Sequence, residues 1–294
     1  MKVFITGELG LLASALEEEL IRNGHDVVWG KNHRDIHYCY HHSYHDGREL
    51  DICDPLMLSR AIHETDPDVV IHTAAIVGTR RCEVYVPGAY YSNVYGTHNV
   101  VATCEMWQKR LLYFSTTAVY APVSGVITEY DRKAPGTVYG MTKYLGECVV
   151  RNSKLDWTIL YPCFVYGGKL DKHSAISDLI HSSIDESESE ILLDPGKLKD
   201  YLYVADFARA VRMLLSNWKS CEEYNISYGN PVPFSEVISC VKQELPNIRY
   251  KLIPELDYLG DHCVDCSKLK KDLQWIPEVS LVEGIRKTIH DCQL

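Results

Sequence analysis

The chain begins with a six-residue apolar, β-rich run, MKVFIT, followed by Gly7 and Gly10 and then by LLASALEEELIRNG, whose apolar positions recur at helical spacing until Gly24. A strand, a tight glycine turn and a helix in that order admit few folds. Glycines without β-carbons let the backbone turn sharply and approach a pyrophosphate, and the N–H groups and positive dipole end of the helix N-terminus then face the phosphates. A bound dinucleotide is the expected ligand, with Gly7, Gly10 and Leu11 at the turn. The third position of the pattern, Ala13, still permits close helix packing.

The same rhythm continues along the chain. HDVVWG (25–30) reads as a strand, Pro55 to Glu64 as a helix, DVVIHTAA (68–75) as a strand and NVYGTHNVVATCEMW (93–107) as a helix. RLLYFST (110–116) and DWTILYP (156–162) follow as strands on either side of a helix at 138–152. Alternating strands and helices mean βαβ units and a parallel sheet, so the expected class is α/β, a doubly wound Rossmann sheet. The domain organisation expected is a dinucleotide-binding domain over 1–162 and a smaller substrate-binding region over 163–294, with parts of 199–227 packing back on the sheet. The run DESESE (185–190) reads as a solvated loop or helix start.

Thirty Lys and Arg against forty Asp and Glu give a net charge of −10, which disfavours binding to nucleic acid or anionic lipid. An anionic ligand must therefore meet a local positive site. No apolar run approaches the ~18–20 residues of a membrane span and no signal peptide is read in the first residues, so a cytoplasmic protein without membrane partners is expected. Eleven scattered cysteines point to free thiols. His33, His37, His41, His42 and His45, with Cys39, match no regular metal loop and read as an adenosine-side surface loop; the single Cys263-x-x-Cys266 pair is likewise read without a metal.

The end of the second strand selects the cofactor. An acidic residue there accepts from the ribose 2′-hydroxyl of NAD, whereas a basic one accommodates the 2′-phosphate of NADP. The chain runs through Lys31 and Arg34 before its first carboxylate at Asp35. Of NAD and NADP, the residues favour NADP.

Tyr139 and Lys143 stand four apart in YGMTK, so on a helix both project from one face. A cation beside a phenol favours the phenolate and lets the tyrosine exchange a proton with a substrate hydroxyl near neutral pH.

With these pieces the chain resembles the extended short-chain dehydrogenase/reductase family, the NAD(P)-dependent sugar-nucleotide epimerases and dehydratases. The segments that carry the resemblance are ITGELGLLAS, DICD (51–54), HTAAIVG (72–78), NVYGTHNV (93–100), FSTTAVY (114–120), YGMTK (139–143), CFVYG (163–167), KDYLYVADFARA (199–210), YNISYG (224–229) and DCSKLKKDLQWIP (265–277). The resemblance implies catalytic Thr116, Tyr139 and Lys143: Thr116 holding the substrate oxygen, Tyr139 as base or acid, and Lys143 lowering the Tyr139 pKa and binding the nicotinamide ribose. It implies that Asp51 and Ile52 contact the adenine and that Ala74 and Ala75 line the cofactor groove. Asn93 would support the active-site helix from behind, and Pro162 to Val165 would edge the nicotinamide. Val77, Thr116, Thr117, Phe164, Lys169 and Lys199 would meet the substrate, with Lys199, Lys169 and Lys197 supplying positive charge for a diphosphate. A homodimer is implied through the helices around 93–107 and 138–152.

Departures from the family pattern narrow the reaction. The 4,6-dehydratases carry Asp-Glu after the catalytic Thr, and Thr117-Ala118 stand there instead. The 3,5-epimerase/4-reductases carry Cys where Ala118 stands, although His173 could still act as an acid. Phe164 replaces an Asn and Tyr161 an Arg, so substrate contacts there have changed. A nucleotide-sugar 4-epimerase acting through a transient 4-keto sugar is the expectation. An NADPH-dependent 4-keto-sugar nucleotide reductase is the alternative, and a non-catalytic dinucleotide-binding regulator is disfavoured by the intact Thr116, Tyr139 and Lys143.

Overall fold

The computed structural model describes all residues except 8–9, 31–40, 45–47, 122–124, 169–173, 186, 255–256, 258 and 294. Lys31, Arg34, Lys169 and His173 thus lie outside the described residues, as do His33, His37, Cys39 and His45.

Six parallel strands form the central sheet: β1 (Lys2–Thr6), β2 (Asp26–Gly30), β3 (Val69–His72), β4 (Arg110–Phe114), β5 (Trp157–Pro162) and β6 (Glu222–Ile226). Their order across the sheet is β6-β5-β4-β3-β1-β2. The direction of chain growth reverses beside β1, which opens a crevice at the carboxyl ends of the strands. The registers that set this edge run Thr6 opposite His72 and His72 opposite Tyr113.

Alternation along β1 shows why the sheet needs helices on both faces. Val3 and Ile5 join a core with Leu16 and Leu20 of the N-terminal helix (Leu11–Arg22) and with Phe207, Val211 and Leu214 of the helix Val204–Ser216. Phe4 points the other way, into a core with Leu58 and Ile62 of the helix Pro55–Thr65, Val100 and Cys104 of the helix Thr97–Met106, and Val150 of the helix Val138–Arg151. Strands buried on both faces read as continuous apolar runs, and that is what VVIH and RLLYF are.

The third core lies outside the sheet and is built from later segments. Ile176, Leu179 and Ile180 of the helix Ala175–Ile184 pack with Phe234, Val237 and Val241 and with Ile285 and Ile289. A short parallel pair, Phe164–Tyr166 with Tyr201–Tyr203, joins this region to the end of β5.

Three expectations are corrected here. Part of the acidic run is a strand, Glu188–Ile191, paired in parallel with Arg249–Leu252; its alternating burial, with Ser189 and Ile191 inward, hides two residues among the carboxylates. The 93–107 segment is not one regular helix, because Tyr91–Gly96 forms a π-helical turn before Thr97. His41 and His42 lie in a strand, His41–Tyr44, antiparallel to Arg48–Asp51. Ten described cysteines are free thiols. Among the described residues no His, Cys, Asp or Glu group is arranged to hold a metal ion, and no helix is long and apolar enough to cross a membrane.

Candidate active site

Parallel pairing puts the carboxyl ends of β1, β3, β4 and β5 on one edge, and the residues singled out in the sequence follow those ends. Gly7 leaves β1 at φ 87°, a left-handed conformation. A Cβ there would lie 2.9 Å from the backbone N and Cα of Ala74, so only glycine lets the turn pass over the end of β3. Gly10 then caps the N-terminal helix without a side-chain hydrogen bond, and the first turn carries no acidic residue. Among the described residues no carboxylate caps the leading N–H groups of that helix, which fits the diphosphate of a dinucleotide. Leu11 faces Gly168 across the turn.

Along the adenosine side, Asp51 Oδ1 accepts the N–H of Cys53 at 2.8 Å. Ile52 is wholly buried, packed against Gly96 of the π turn, and its carbonyl accepts from Asn99 at 3.0 Å. Ala74 is buried and Ala75 half-buried at the groove, and Val77 is exposed at its mouth.

Asn93 comes from the π turn. Its Oδ1 accepts from Ile76 N at 2.7 Å, and its Nδ2 donates to Ile76 O at 2.9 Å and to Thr142 Oγ1 at 3.0 Å. The side chain thus ties the end of β3 to the helix Val138–Arg151. π turns recur at functional sites because one widened turn re-aims a side chain.

The helix Val138–Arg151 is started by Thr137, whose hydroxyl accepts the N–H of Gly140 at 3.1 Å. Gly140 is required for the approach that follows, since a Cβ there would lie 2.5 Å from Ala118 O. The helix therefore seats directly on the turn Thr117–Val119, whose N-cap is Thr116. Thr116 Oγ1 accepts from Ala118 N at 3.2 Å, and the Thr116 side chain is near enough to the Tyr139 phenol to favour its ionised form. The Tyr139 ring packs against the small cluster of Ile76, Cys82 and Ala89.

Lys143, one turn on, is buried, with Nζ 4.3 Å from the centroid of the Tyr113 ring. Burial pushes its ammonium down to about 7, opposed by the negative charge of Glu147. Burial likewise pushes Tyr139 up to about 12, with the Thr116 hydrogen bond acting the other way. Against the lowering expected from Lys143, the cost of desolvating a phenolate is the larger influence on Tyr139.

Thr117 is buried and donates to Pro162 O at 3.4 Å. Pro162 ends β5, and Val165 and Phe164 follow half-buried. Tyr161 is wholly buried, and its hydroxyl donates to Glu223 Oε2 at 2.8 Å and accepts from Arg151 Nη2 at 2.6 Å. Lys199 is corrected as well. Its side chain is wholly buried and its ammonium is paired with Asp257 Oδ1 at 2.8 Å and with Gly260 O, so it presents no free charge to a diphosphate. Lys197 remains half-buried beside it.

Two residues that were not singled out belong to this machinery. Thr142, inside YGMTK, carries the Asn93 link. Glu147 is wholly buried, one turn beyond Lys143, and is held by Ser115 Oγ and by Arg151 Nη2 at 2.6 Å. Its i, i+4 spacing from Lys143 was the available signal.

The chain is 26% identical to dTDP-glucose 4,6-dehydratase of Neisseria meningitidis, over 98% of this chain and 92% of that protein. It is 28% identical to a Methanocaldococcus jannaschii protein provisionally named UDP-glucose 4-epimerase, over 98% and 97% of the two chains. Among solved structures, MoeE5 in complex with UDP-glucose and NAD superposes with a TM-score of 0.86 at 25% identity, covering 100% of this chain and 99% of that one. These comparisons point to NAD and lend the NADP preference no support; Lys31 and Arg34, on which that preference rested, lie outside the described residues. The model of the NAD dependent epimerase/dehydratase family matches residues 3–227, and the chain belongs to that family.

Proposed function

We propose that the protein is an NAD-dependent nucleotide-sugar 4-epimerase in which Tyr139 takes and returns the proton of the sugar C4 hydroxyl. The observation that carries this reading is the seating of the helix that bears Tyr139 and Lys143, one turn apart, directly on the turn capped by Thr116, where a Cβ at Gly140 would lie 2.5 Å from Ala118 O. Bound NAD would supply a hydride acceptor at C4 and a positive charge that favours the phenolate. Thr116 orients the substrate oxygen. Lys143, whose buried ammonium leans on an aromatic face and not on a carboxylate, has donors for a ribose. The N–H groups after Gly10 hold the diphosphate of the dinucleotide.

A 4,6-dehydratase is among the relatives, yet that chemistry needs an acid and a base at the sugar C5 and C6. Thr117 spends its hydroxyl on Pro162 O and Ala118 has no titratable group. Two copies would pair through the faces bearing Tyr91, Tyr95, Met106 and Met141, all exposed apolar side chains.

The test is to incubate the purified protein with UDP-, dTDP-, GDP- and CDP-linked sugars and analyse the products. A 4-epimer formed without net consumption of reduced cofactor supports the proposal. Turnover only with a 4-keto sugar and added NADPH identifies a reductase instead, and retention of dinucleotide with no turnover of any sugar identifies a binding protein.

A further inference from the structure

Thr6 ends β1, one residue before the glycine turn. Its hydroxyl oxygen accepts the N–H of Thr73 and the N–H of Ala74, both at 3.2 Å. A hydroxyl has two acceptor lone pairs and one proton, so with both lone pairs engaged the proton has one destination, His72 Nδ1 at 2.8 Å. Nδ1 must therefore accept, and the imidazole proton sits on Nε2. The far side gives the same answer. His72 Nε2 lies 3.0 Å from Thr97 Oγ1, whose own proton goes to the carbonyl oxygen of Asn93 at 2.7 Å.

Asn93 passes the chain on: Nδ2 donates to Thr142 Oγ1 at 3.0 Å, and the Thr142 hydroxyl donates to the carbonyl of Tyr139 at 2.9 Å. All the residues whose side chains form this line, Thr6, His72, Thr97, Asn93 and Thr142, are buried. Every hydroxyl in it points the same way, from the strand end that carries the glycine turn to the backbone of Tyr139. The Tyr113 ring faces His72 at 5.7 Å between centroids and also carries Lys143 Nζ at 4.3 Å. Protonating His72 would aim an N–H at a hydroxyl with no free lone pair and would set a second cation against the ring already facing Lys143.

We infer that His72 is a positioning residue, locked as the neutral Nε2–H tautomer, which fixes the glycine turn and the Tyr139 backbone relative to each other. The positioning role rests on the reading of Tyr139 as the proton-transfer group; the tautomer does not. A two-bond proton–nitrogen correlation spectrum of the full-length, nitrogen-15-labelled protein, recorded from about pH 5.5 to about pH 8.5 where ordinary histidines titrate, tests the tautomer. The His72 signals, assigned by their loss in His72→Gln, should show the Nε2–H pattern throughout. A pattern with the proton on Nδ1, or one that moves to imidazolium across this range, overturns the inference.

Turnover tests the positioning. Gln offers one donor and one acceptor at this site and Phe offers neither, so His72→Gln should keep most of the wild-type kcat. His72→Phe should lose at least about tenfold in kcat with little change in KM, as expected when reacting groups are misplaced. Equal losses in both variants, or a loss confined to KM, contradict it. Should His72→Phe fail to fold, Thr97→Val removes the Nε2 acceptor and is expected to lower kcat in its place. If the wild-type protein turns over no sugar nucleotide, the Tyr139 reading fails while the tautomer stands or falls by its spectrum.

Discussion

Tyr139 and Lys143, four residues apart on one helix, are moved in opposite directions by the same cause: burial raises the phenol to about 12 and lowers the ammonium to about 7. Each shift favours the neutral form. Both shifts work against the phenolate and ammonium forms that proton abstraction by Tyr139 beside Lys143 would use.

Stability should record the Lys143 shift. Its folded pKa lies below the ordinary value of 10.5, so between about pH 7 and 10.5 the unfolded chain holds more protons and stability rises with pH. Below that window the full cost of a buried charge is present. Lys143→Met removes the cost and should stabilise the fold by roughly 1–4 kcal/mol near pH 6, with the gain shrinking toward about pH 10. Denaturant titrations at the two ends of the window check this, and an equal gain at both ends would refute it.

Gly140→Ala should separate the helix from the turn that holds Thr116. The added Cβ would meet Ala118 O at 2.5 Å and Pro135 Cβ at 2.9 Å, and neither a backbone carbonyl nor a ring gives way easily. A loss of about 1–3 kcal/mol is expected, with turnover down at least about tenfold from misplacement of Tyr139. Wild-type stability and rate together would show that the contact is not tight.

Asp257 and Lys199 should behave as a unit. Their side chains are both buried, so Asp257→Asn and Lys199→Met each leave a buried charge without its partner and should each cost about 3–5 kcal/mol, whereas Lys199→Met combined with Asp257→Leu should be close to neutral. If Lys199 is as sequestered as its pairing indicates, Lys199→Met leaves the KM for a nucleotide sugar nearly unchanged. A rise of about tenfold, worth about 1.4 kcal/mol of binding, would return Lys199 to the diphosphate.

Pairing of two copies is tested by light scattering at micromolar concentration. A dimer that Tyr91→Glu converts to monomer is expected, since Tyr91 is 56% exposed and stacked on Tyr95 at 5.3 Å. A wild-type monomer would contradict it.

Periodicity made the sheet legible. Runs such as VVIH and RLLYF declare strands buried on both faces, and YGMTK placed two functional groups on one helical face before any coordinates. What sequence could not show was competition for those groups. Lys199 looks like a free cation until Asp257, 58 residues later, is folded against it, and Tyr161, read only as a departure from the family pattern, gives no sign in sequence that Arg151 and Glu223 hold its hydroxyl. The π turn at Tyr91–Gly96 slips the helical pattern by one residue, a shift too small to read over so short a segment. The acidic run hid a strand because two inward residues are too few for a clear alternation.

The most direct test of the central claim is turnover by Tyr139→Phe, measured with the nucleotide sugar that the wild-type protein epimerises and with bound dinucleotide quantified in both proteins. The account predicts a fall of at least about 100-fold, the usual worth of a positioned acid–base group, with folding and dinucleotide content unchanged. Turnover near the wild-type rate would contradict it.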